Sequence, residues 1–197
     1  MSDNRFFLMR HGQSQANVKG VICSDPAQGR TVYGLTEMGR YQVRRNAEEM
    51  RMSGQWHQEC ALVTSPFLRA VQTAEIVAEI LGIPKAEQDE RLRERFFGDL
   101  EGQSDSRYQQ VWQQDQKDAR HTQWQVESVD SVAARACALV NQLEQQHEEK
   151  TFVLVTHGDL CSILSCALDG ENLRFHRQHT CLDPGTCCPL ITRPGSR

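Results

Sequence analysis

The chain has 197 residues, of which 24% are charged, with a formal net charge of -4 and an isoelectric point near 6.0. A chain of this length buries roughly 70% of the surface that its unfolded form exposes, so it needs neither a metal nor a disulfide to fold. The acidic balance leaves no overall basic field for a nucleic-acid backbone or an anionic membrane, which excludes a general polyanion binder.

The amino terminus, Met-Ser-Asp-Asn-Arg, precedes only four apolar residues, which is too short for a signal peptide. No later apolar run approaches the roughly 18 residues that a membrane span requires. We therefore expect a cytoplasmic protein that binds neither nucleic acid nor membrane. Its eight cysteines are expected to remain thiols. The sequence leaves the oligomeric state open.

The first predicted elements are an apolar strand at residues 6–9, a long loop and a helix. The loop runs from Gly20 to Gly34 and is rich in Gly, Pro, Ser and Asp, and Thr36 is a suitable N-cap for the helix that follows. This order predicts a βα unit with a long connection.

A second βα unit begins with the strand at residues 60–64. Ser65 is predicted to cap its helix, with Pro66 in the first helical position and Gly82 at the end. The apolar residues of this helix recur with the helical period, and Arg69 lies off their stripe.

The stretch at 103–125 is polar and contains eight glutamines. We interpret it as a helical excursion on the single domain predicted for residues 1–197. Its two tryptophans, Trp112 and Trp124, either line a ligand or pin the excursion to the core.

A third helix with Ser128 as N-cap, a strand at 152–156 and a last helix from Asp159 to Leu168 complete the pattern. After these, residues 181–189 could form a closing edge strand, which Pro189 weakens. Strands that alternate with helices predict the α/β class: a three-layer αβα sandwich with a largely parallel central sheet.

Two of these strands run directly into a His-Gly turn, at His11 and at His157. Open α/β sheets bind ligands at the carboxyl ends of their strands, so both histidines are candidates for chemistry in one site. Around His11, the Arg10 guanidinium, the Ser14 hydroxyl and the Asn17 amide offer groups that suit a phosphoryl group.

A metal site is the rival interpretation of paired histidines. Zinc would need further ligands, and the adjacent Arg10 guanidinium opposes a bound cation. A second rival is the carboxyl-terminal set of soft ligands, but its spacing fits no common zinc pattern; the set is His176, His179, Cys181, Cys187 and Cys188. We expect neither a metal nor another cofactor.

Five segments occur in an order that resembles the histidine phosphatase superfamily, the phosphoglycerate mutase-like proteins. They are Leu8–Asn17, Leu35–Gly39, Ser65–Ala74, Leu92–Gly102 and Thr156–Gly158. Glu127-Ser128 with Arg135 matches that family's entry into its late helix. The resemblance runs from residue 6 to about residue 168.

The resemblance implies a role for each matching residue. His11 corresponds to the nucleophile that forms a phosphohistidine, and Glu94 corresponds to the proton donor. Arg10, Arg69 and His157 correspond to the phosphate-binding groups, and Asn17 to a further phosphate contact. Two guanidiniums and an imidazole can spread the charge of a phosphoryl group in transfer, which agrees with these roles.

The sequence also departs from the family. Gln13 stands where the family often has Glu; we expect this amide and the Ser14 hydroxyl to contact the substrate, with modest retuning. The polar excursion is smaller than the insertion of the mutases, which shields the phosphohistidine from water. We therefore expect a phosphatase that acts on a small phosphorylated metabolite. The alternatives are a mutase, a phosphoprotein phosphatase and a regulator that binds a phosphorylated ligand without turnover.

Overall fold

The computed structural model describes residues 3–54, 56, 60–179 and 182–191. Its central five-stranded sheet has the order β3-β2-β4-β1-β5. The strands are β1 (Arg5–Arg10), β2 (Ala61–Thr64), β3 (Glu87–Gln88), β4 (Thr151–Thr156) and β5 (Cys187–Leu190). The first four pair in parallel, and β5 runs antiparallel to β1.

Helices cover both faces of this sheet. The α-helices of the described residues are α1 (Gln15–Lys19), α2 (Pro26–Gly29), α3 (Glu37–Met52), α4 (Leu68–Leu81), α5 (Tyr108–Asp115), α6 (Val129–Gln146) and α7 (Gly158–Leu168). Buried residues of α3 and α4 pack on one face, and those of α6 and α7 pack on the other. The predicted αβα sandwich is confirmed. No described helix is both long and apolar enough to cross a membrane.

The central strand β4 shows why the sheet needs both layers. All six of its residues are buried. Phe152 and Leu154 belong to the core under α6 and α7, whereas Val153 and Val155 belong to the core under α3 and α4. Successive side chains of a strand point to opposite faces, so a continuous apolar run requires a cover on each side.

The helix boundaries agree with the predicted caps except at α4. Thr36 and Ser128 accept hydrogen bonds from the backbone of α3 and α6, and Gly82 ends α4 in the left-handed conformation. The prediction that Ser65 caps α4 is wrong, because this helix begins at Leu68. The Ser65 hydroxyl instead lies 2.8 Å from Nε2 of His157.

The polar stretch at 103–125 contains one α-helix and two 3-10 turns. It contains a 3-10 turn at Asp105–Arg107, helix α5 and a second 3-10 turn at Gln123–Gln125. A small apolar cluster lies beneath it, formed by Ile22, Phe97, Leu100, Val111 and Val126. Trp124 packs against this cluster. It therefore anchors the stretch at 103–125 to the core, which is the second of the two roles considered for the tryptophans.

The possible edge strand near the carboxyl terminus exists as β5, which pairs with β1. Pro189 lies opposite Phe7 and is tolerated because an edge strand needs no second hydrogen-bonded neighbour. Cys181 lies outside the described residues.

Two glycines let α3 approach the first His-Gly turn. A Cβ added at Gly12 would lie 2.5 Å from the carbonyl oxygen of Gly39. A Cβ at Gly39 would overlap the carbonyl oxygen of Gln13. The backbone of α3 therefore packs directly against the turn that carries His11.

We expect Gly39→Ala to lower the free energy of unfolding by about 1–3 kcal/mol, because the added methyl group must push two backbone segments apart. Urea denaturation measures this change. The control is Met38→Ala at a position 54% exposed in the same helix; it should change stability by no more than about 0.5 kcal/mol. Equal stability of the two variants would contradict the close packing.

Candidate active site

The pairing of β1 with β4 brings the two His-Gly turns together. Arg10 lies opposite Thr156 in the register, and the His11 amide donates to the carbonyl oxygen of Thr156 at 3.0 Å. The rings of His11 and His157 then lie 5.1 Å apart, centroid to centroid. The two turns therefore belong to one site at the carboxyl edge of the sheet.

His11 is held as a neutral imidazole with one nitrogen unprotonated. Its Nδ1 lies 2.7 Å from the carbonyl oxygen of Gly12, which can only accept, so Nδ1 carries the proton. Nε2 accepts a hydrogen bond from Nε of Arg69 at 3.0 Å. Burial, followed by the charges of Arg69 and Arg10, holds the His11 pKa well below its usual value. Nε2 therefore offers a lone pair at neutral pH.

Arg69 lies near the start of α4 on its buried side, with only 4% of the residue exposed. Besides its bond to His11, it donates from a terminal nitrogen to the carbonyl oxygen of Cys23 at 3.0 Å. This second contact comes from the long first loop. The loop thus orients the guanidinium beside the histidine.

Arg10 approaches from the end of β1. It donates to the carbonyl oxygen of Leu182 at 2.8 Å, and its guanidinium carbon is 3.3 Å from where a Cβ of Gly158 would lie. Within the described residues its Nε is buried without a hydrogen-bond partner. A buried unpaired donor beside a cavity indicates a place for an anion.

His157 is fully buried and is held at Nε2 by the Ser65 hydroxyl. Its Nδ1 lies 4.0 Å from a carboxylate oxygen of Glu94 and has no hydrogen-bond partner in the described part of the chain. Burial and the charge of Arg69 hold the His157 pKa well below its usual value.

Glu94 faces these groups from the segment between β3 and α5. One carboxylate oxygen accepts from the backbone amide of Arg95 at 2.9 Å. Burial, followed by the negative charge of Asp159, raises the Glu94 pKa from 4.5 to about 7, and the charges of Arg69 and Arg10 oppose the rise only partly. A large fraction of Glu94 is therefore protonated at neutral pH and can donate a proton.

A cavity of about 220 Å³ connects these residues. Five of the predicted site residues line it, namely Arg10, His11, Asn17, Arg69 and Glu94. The Asn17 side-chain oxygen accepts from the amide and the hydroxyl of Ser14, both at 2.9 Å. The Asn17 side-chain nitrogen has no hydrogen-bond partner among the described residues and remains available as a donor.

Three predicted phosphate or substrate contacts are not among the residues that line the cavity. One is His157, which is fully buried beside His11; the others are Gln13 and Ser14. The Gln13 side-chain oxygen accepts from the Thr36 hydroxyl at 2.8 Å, at the amino end of α3. Ser14 is fully buried as the N-cap of α1, in a capping box with Asn17. The expectation that Gln13 and Ser14 contact the substrate directly is corrected, because both side chains hold helix ends in place.

Residues of α5, of α7 and of the 3-10 segment Leu173–Gln178 also line the cavity. Among them, Tyr108, Asp159 and Arg177 were not predicted as site residues from the sequence, whereas Trp112 was one of the two tryptophans considered. Trp112 therefore lines the cavity, as the first interpretation of the tryptophans expected. Asp159 directly follows His157-Gly158 and could have been found from that position. Nothing in the local sequence pattern marks Arg177.

The carboxyl-terminal residues considered as a metal rival do not converge. His176 is buried against Asp115 and Ser162, and His179 lies near Asp169. Cys187 and Cys188 belong to β5. Among the described residues, no group of three or more His, Cys, Asp or Glu side chains is arranged to hold a metal ion.

Comparison with known proteins agrees with this geometry. A family model described as the histidine phosphatase superfamily (branch 1) matches residues 6–196. The chain belongs to this superfamily.

Relatives of the chain include both mutases and phosphatases. It is 29% identical over 174 residues to a 2,3-bisphosphoglycerate-dependent phosphoglycerate mutase of Brucella ovis, covering 83% of this chain and 80% of the relative. It is 27% identical over 163 residues to the uncharacterized phosphatase PhoE of Bacillus subtilis, covering 83% and 76%. The structure of a mycobacterial glucosyl-3-phosphoglycerate phosphatase aligns with a TM-score of 0.78 and 28% identity, covering 94% and 91%.

The raised pKa of Glu94 predicts how the free energy of unfolding depends on pH. The folded protein binds this proton more tightly than the unfolded chain, so the contribution of Glu94 to stability is lost as the pH rises from 4.5 to about 7. Glu94→Gln should remove this loss. Above pH 7 the variant should gain up to about 3 kcal/mol over the wild type, measured by denaturation across pH.

His11 and His157 titrate in both proteins, so the difference between the two curves isolates Glu94. The exposed helix residue Glu79 supplies the control, since Glu79→Gln should change stability by no more than about 0.5 kcal/mol. Parallel curves for Glu94→Gln and the wild type would contradict the raised pKa.

Proposed function

We propose that the protein is a phosphatase that hydrolyses phosphomonoesters of small metabolites through a phosphohistidine on His11. The observation that carries this proposal is that one cavity brings together an unprotonated imidazole nitrogen, two guanidiniums and a carboxyl group of raised pKa. Each group matches one requirement of phosphoryl transfer.

The first requirement is a nucleophile. Nε2 of His11 attacks phosphorus in line, and the bond between phosphorus and the ester oxygen breaks. The Gly12 carbonyl holds the opposite nitrogen protonated, which keeps the lone pair on Nε2. This carbonyl also stabilises the positive charge that the ring gains during attack.

The second requirement is stabilisation of the equatorial oxygens. Arg10 and Arg69 present guanidinium donors at the cavity and Asn17 presents its amide. His157, beside His11 and with Nδ1 unpaired among the described residues, completes the set. Arg69 and His157 are buried and Arg10 is partly buried, so their interactions with the phosphoryl oxygens are stronger than in water. They are also fixed by protein contacts before the substrate arrives.

The third requirement is a proton for the leaving oxygen. Glu94 supplies it from its protonated form and becomes a carboxylate, which then takes a proton from the water that attacks the phosphohistidine. A pKa of about 7 suits both directions at neutral pH. The products are the alcohol, inorganic phosphate and the regenerated enzyme.

These roles assign all required charges to side chains of the chain itself, so we propose a mechanism that is independent of a metal ion. Hydrolysis is favoured over transfer because the cover above the cavity is small. It consists mainly of α5, which is eight residues long, and its flanking turns. Retention of a phosphoryl group for transfer back to a substrate requires exclusion of water.

We expect His11→Ala to abolish release of phosphate from phenyl phosphate while the fold is retained. The wild type, quenched during turnover, should carry an acid-labile phosphoryl group on His11, detected by mass spectrometry. A chelator should leave the rate unchanged. Wild-type activity in His11→Ala, or loss of activity with chelator, would refute the proposal. Transfer between phosphoglycerates that depends on a bisphosphorylated primer would identify a mutase instead.

We also expect kcat/KM for an alkyl phosphate to fall as the pH rises through about 7, because Glu94 loses its proton there. The fall should be absent in Glu94→Gln, whose rate on the alkyl ester should be lower by about 100-fold or more. The same variant should lose less with para-nitrophenyl phosphate, whose leaving group needs no proton. Equal losses on both esters would rule out Glu94 as the acid.

A further inference from the structure

One wall of the cavity takes no part in the proposed phosphoryl transfer. Tyr108 and Trp112 contribute to it from α5, and Arg177 contributes from the segment Leu173–Gln178. In the proposed function the phosphoryl group is bound by residues at the carboxyl edge of the sheet, such as Arg10 and His11. This wall therefore faces the alcohol part of a bound phosphate ester.

The side chains of this wall are held rigidly. The rings of Tyr108 and Trp112 are stacked at 5.6 Å with an interplanar angle of 10°, and Phe97 meets the Tyr108 ring edge-on at 4.7 Å. The Arg177 guanidinium lies 4.0 Å from the centroid of the Trp112 ring. The polar ends of Tyr108 and Arg177 are therefore preorganised.

Tyr108 presents a free hydroxyl. Within the described residues this hydroxyl forms no hydrogen bond, and it is not among the buried polar atoms without a partner, so it reaches open space. Burial and the negative charge of Glu94 raise the Tyr108 pKa, so the hydroxyl keeps its proton. It is available as a donor.

Arg177 presents further donors. One terminal nitrogen lies 3.3 Å from a carboxylate oxygen of Asp159, and its other N–H groups have no partner in the described part of the chain. The Asp159 carboxylate already accepts hydrogen bonds from Trp112, Arg177 and Arg95. Asp105 also lines the cavity, but its side chain is exposed and its charge is screened by solvent.

The two donors lie within reach of a small ester. Tyr108 and Arg177 line the same cavity as Arg10, His11 and Arg69, and its volume is only about 220 Å³. An ester whose phosphoryl group lies beside His11 therefore extends its alcohol part toward this wall within the same small space.

We propose that Tyr108 and Arg177 form a substrate subsite that binds an oxygen acceptor, carboxylate or hydroxyl, on the carbon next to the phosphorylated one. The subsite makes the enzyme selective for short phosphorylated hydroxy acids or polyols over simple alkyl phosphates. This inference rests on the proposed function, because it treats the cavity as the site of a phosphate ester.

Three esters of the same length test the subsite: ethyl phosphate, hydroxyethyl phosphate and phosphoglycolate. We expect the wild type to prefer the two that carry the extra oxygen. Tyr108→Phe should reduce the ratio of kcat/KM for these esters to that for ethyl phosphate by about fivefold to tenfold, the effect of one lost hydrogen bond. Tyr41→Phe, at an exposed position on α3, should leave the ratio unchanged.

Arg177→Gln distinguishes the two sources of the acceptor. A ratio that falls only for phosphoglycolate assigns the subsite to carboxylates, and a fall for both esters assigns it to oxygen acceptors in general. An unchanged ratio in both Tyr108→Phe and Arg177→Gln would overturn the inference. An equal loss on all three esters would also overturn it, since a purely structural role has that effect.

A binding measurement separates this inference from the proposed function. In the His11→Ala background, calorimetry should show tighter binding of phosphoglycolate or hydroxyethyl phosphate than of ethyl phosphate, and addition of Tyr108→Phe should remove the difference. This result supports the subsite even if the wild type hydrolyses none of the esters. Equal affinities for the three esters in the His11→Ala protein would refute it.

Discussion

The parallel pairing of β1 with β4 is the constraint on which the site depends. In this register Arg10 lies opposite Thr156, so both strands end at the same level and both chains turn there. The two histidines that follow can then lie with their rings 5.1 Å apart. A slip of one residue would turn the alternating side chains of β4 to the wrong layers, so the packing of both cores maintains the register of the site.

The site concentrates groups that are costly to bury. Arg69, His11 and His157 are almost completely removed from water, and Glu94 is 8% exposed. The imidazoles remain neutral and a large fraction of Glu94 is protonated at neutral pH, while Asp159 is paired with Arg95 and Arg177. Arg10 and Arg69 therefore supply positive charge beside His11. A dianionic phosphoryl group matches that charge and supplies acceptors for donors that are otherwise unpaired.

A buried ionic network connects the cover of the cavity to the segment that carries Glu94. Arg95 is fully buried and forms two bonds with Asp115, at 2.7 and 2.8 Å. Asp115 ends α5, and it also accepts from His121 and lies near His176. Removal of one partner would leave a buried charge unpaired, so α5 and the acid-bearing segment are expected to keep one relative position. The same network brings Tyr108 and Trp112 to the cavity.

The sequence by itself determined the fold class and indicated five of the residues that line the cavity, because these depend on local signals and on the order of motifs. Apolar strands, caps such as Thr36 and the two His-Gly turns are read within a few residues, and the order of motifs points to the superfamily. Tertiary structure alone decided that Gln13 and Ser14 hold helix ends, that Ser65 meets His157, and that Trp112 and Arg177 share a wall. Those outcomes depend on contacts between segments far apart in the chain, and neither periodicity nor spacing records which distant partner a polar side chain will meet.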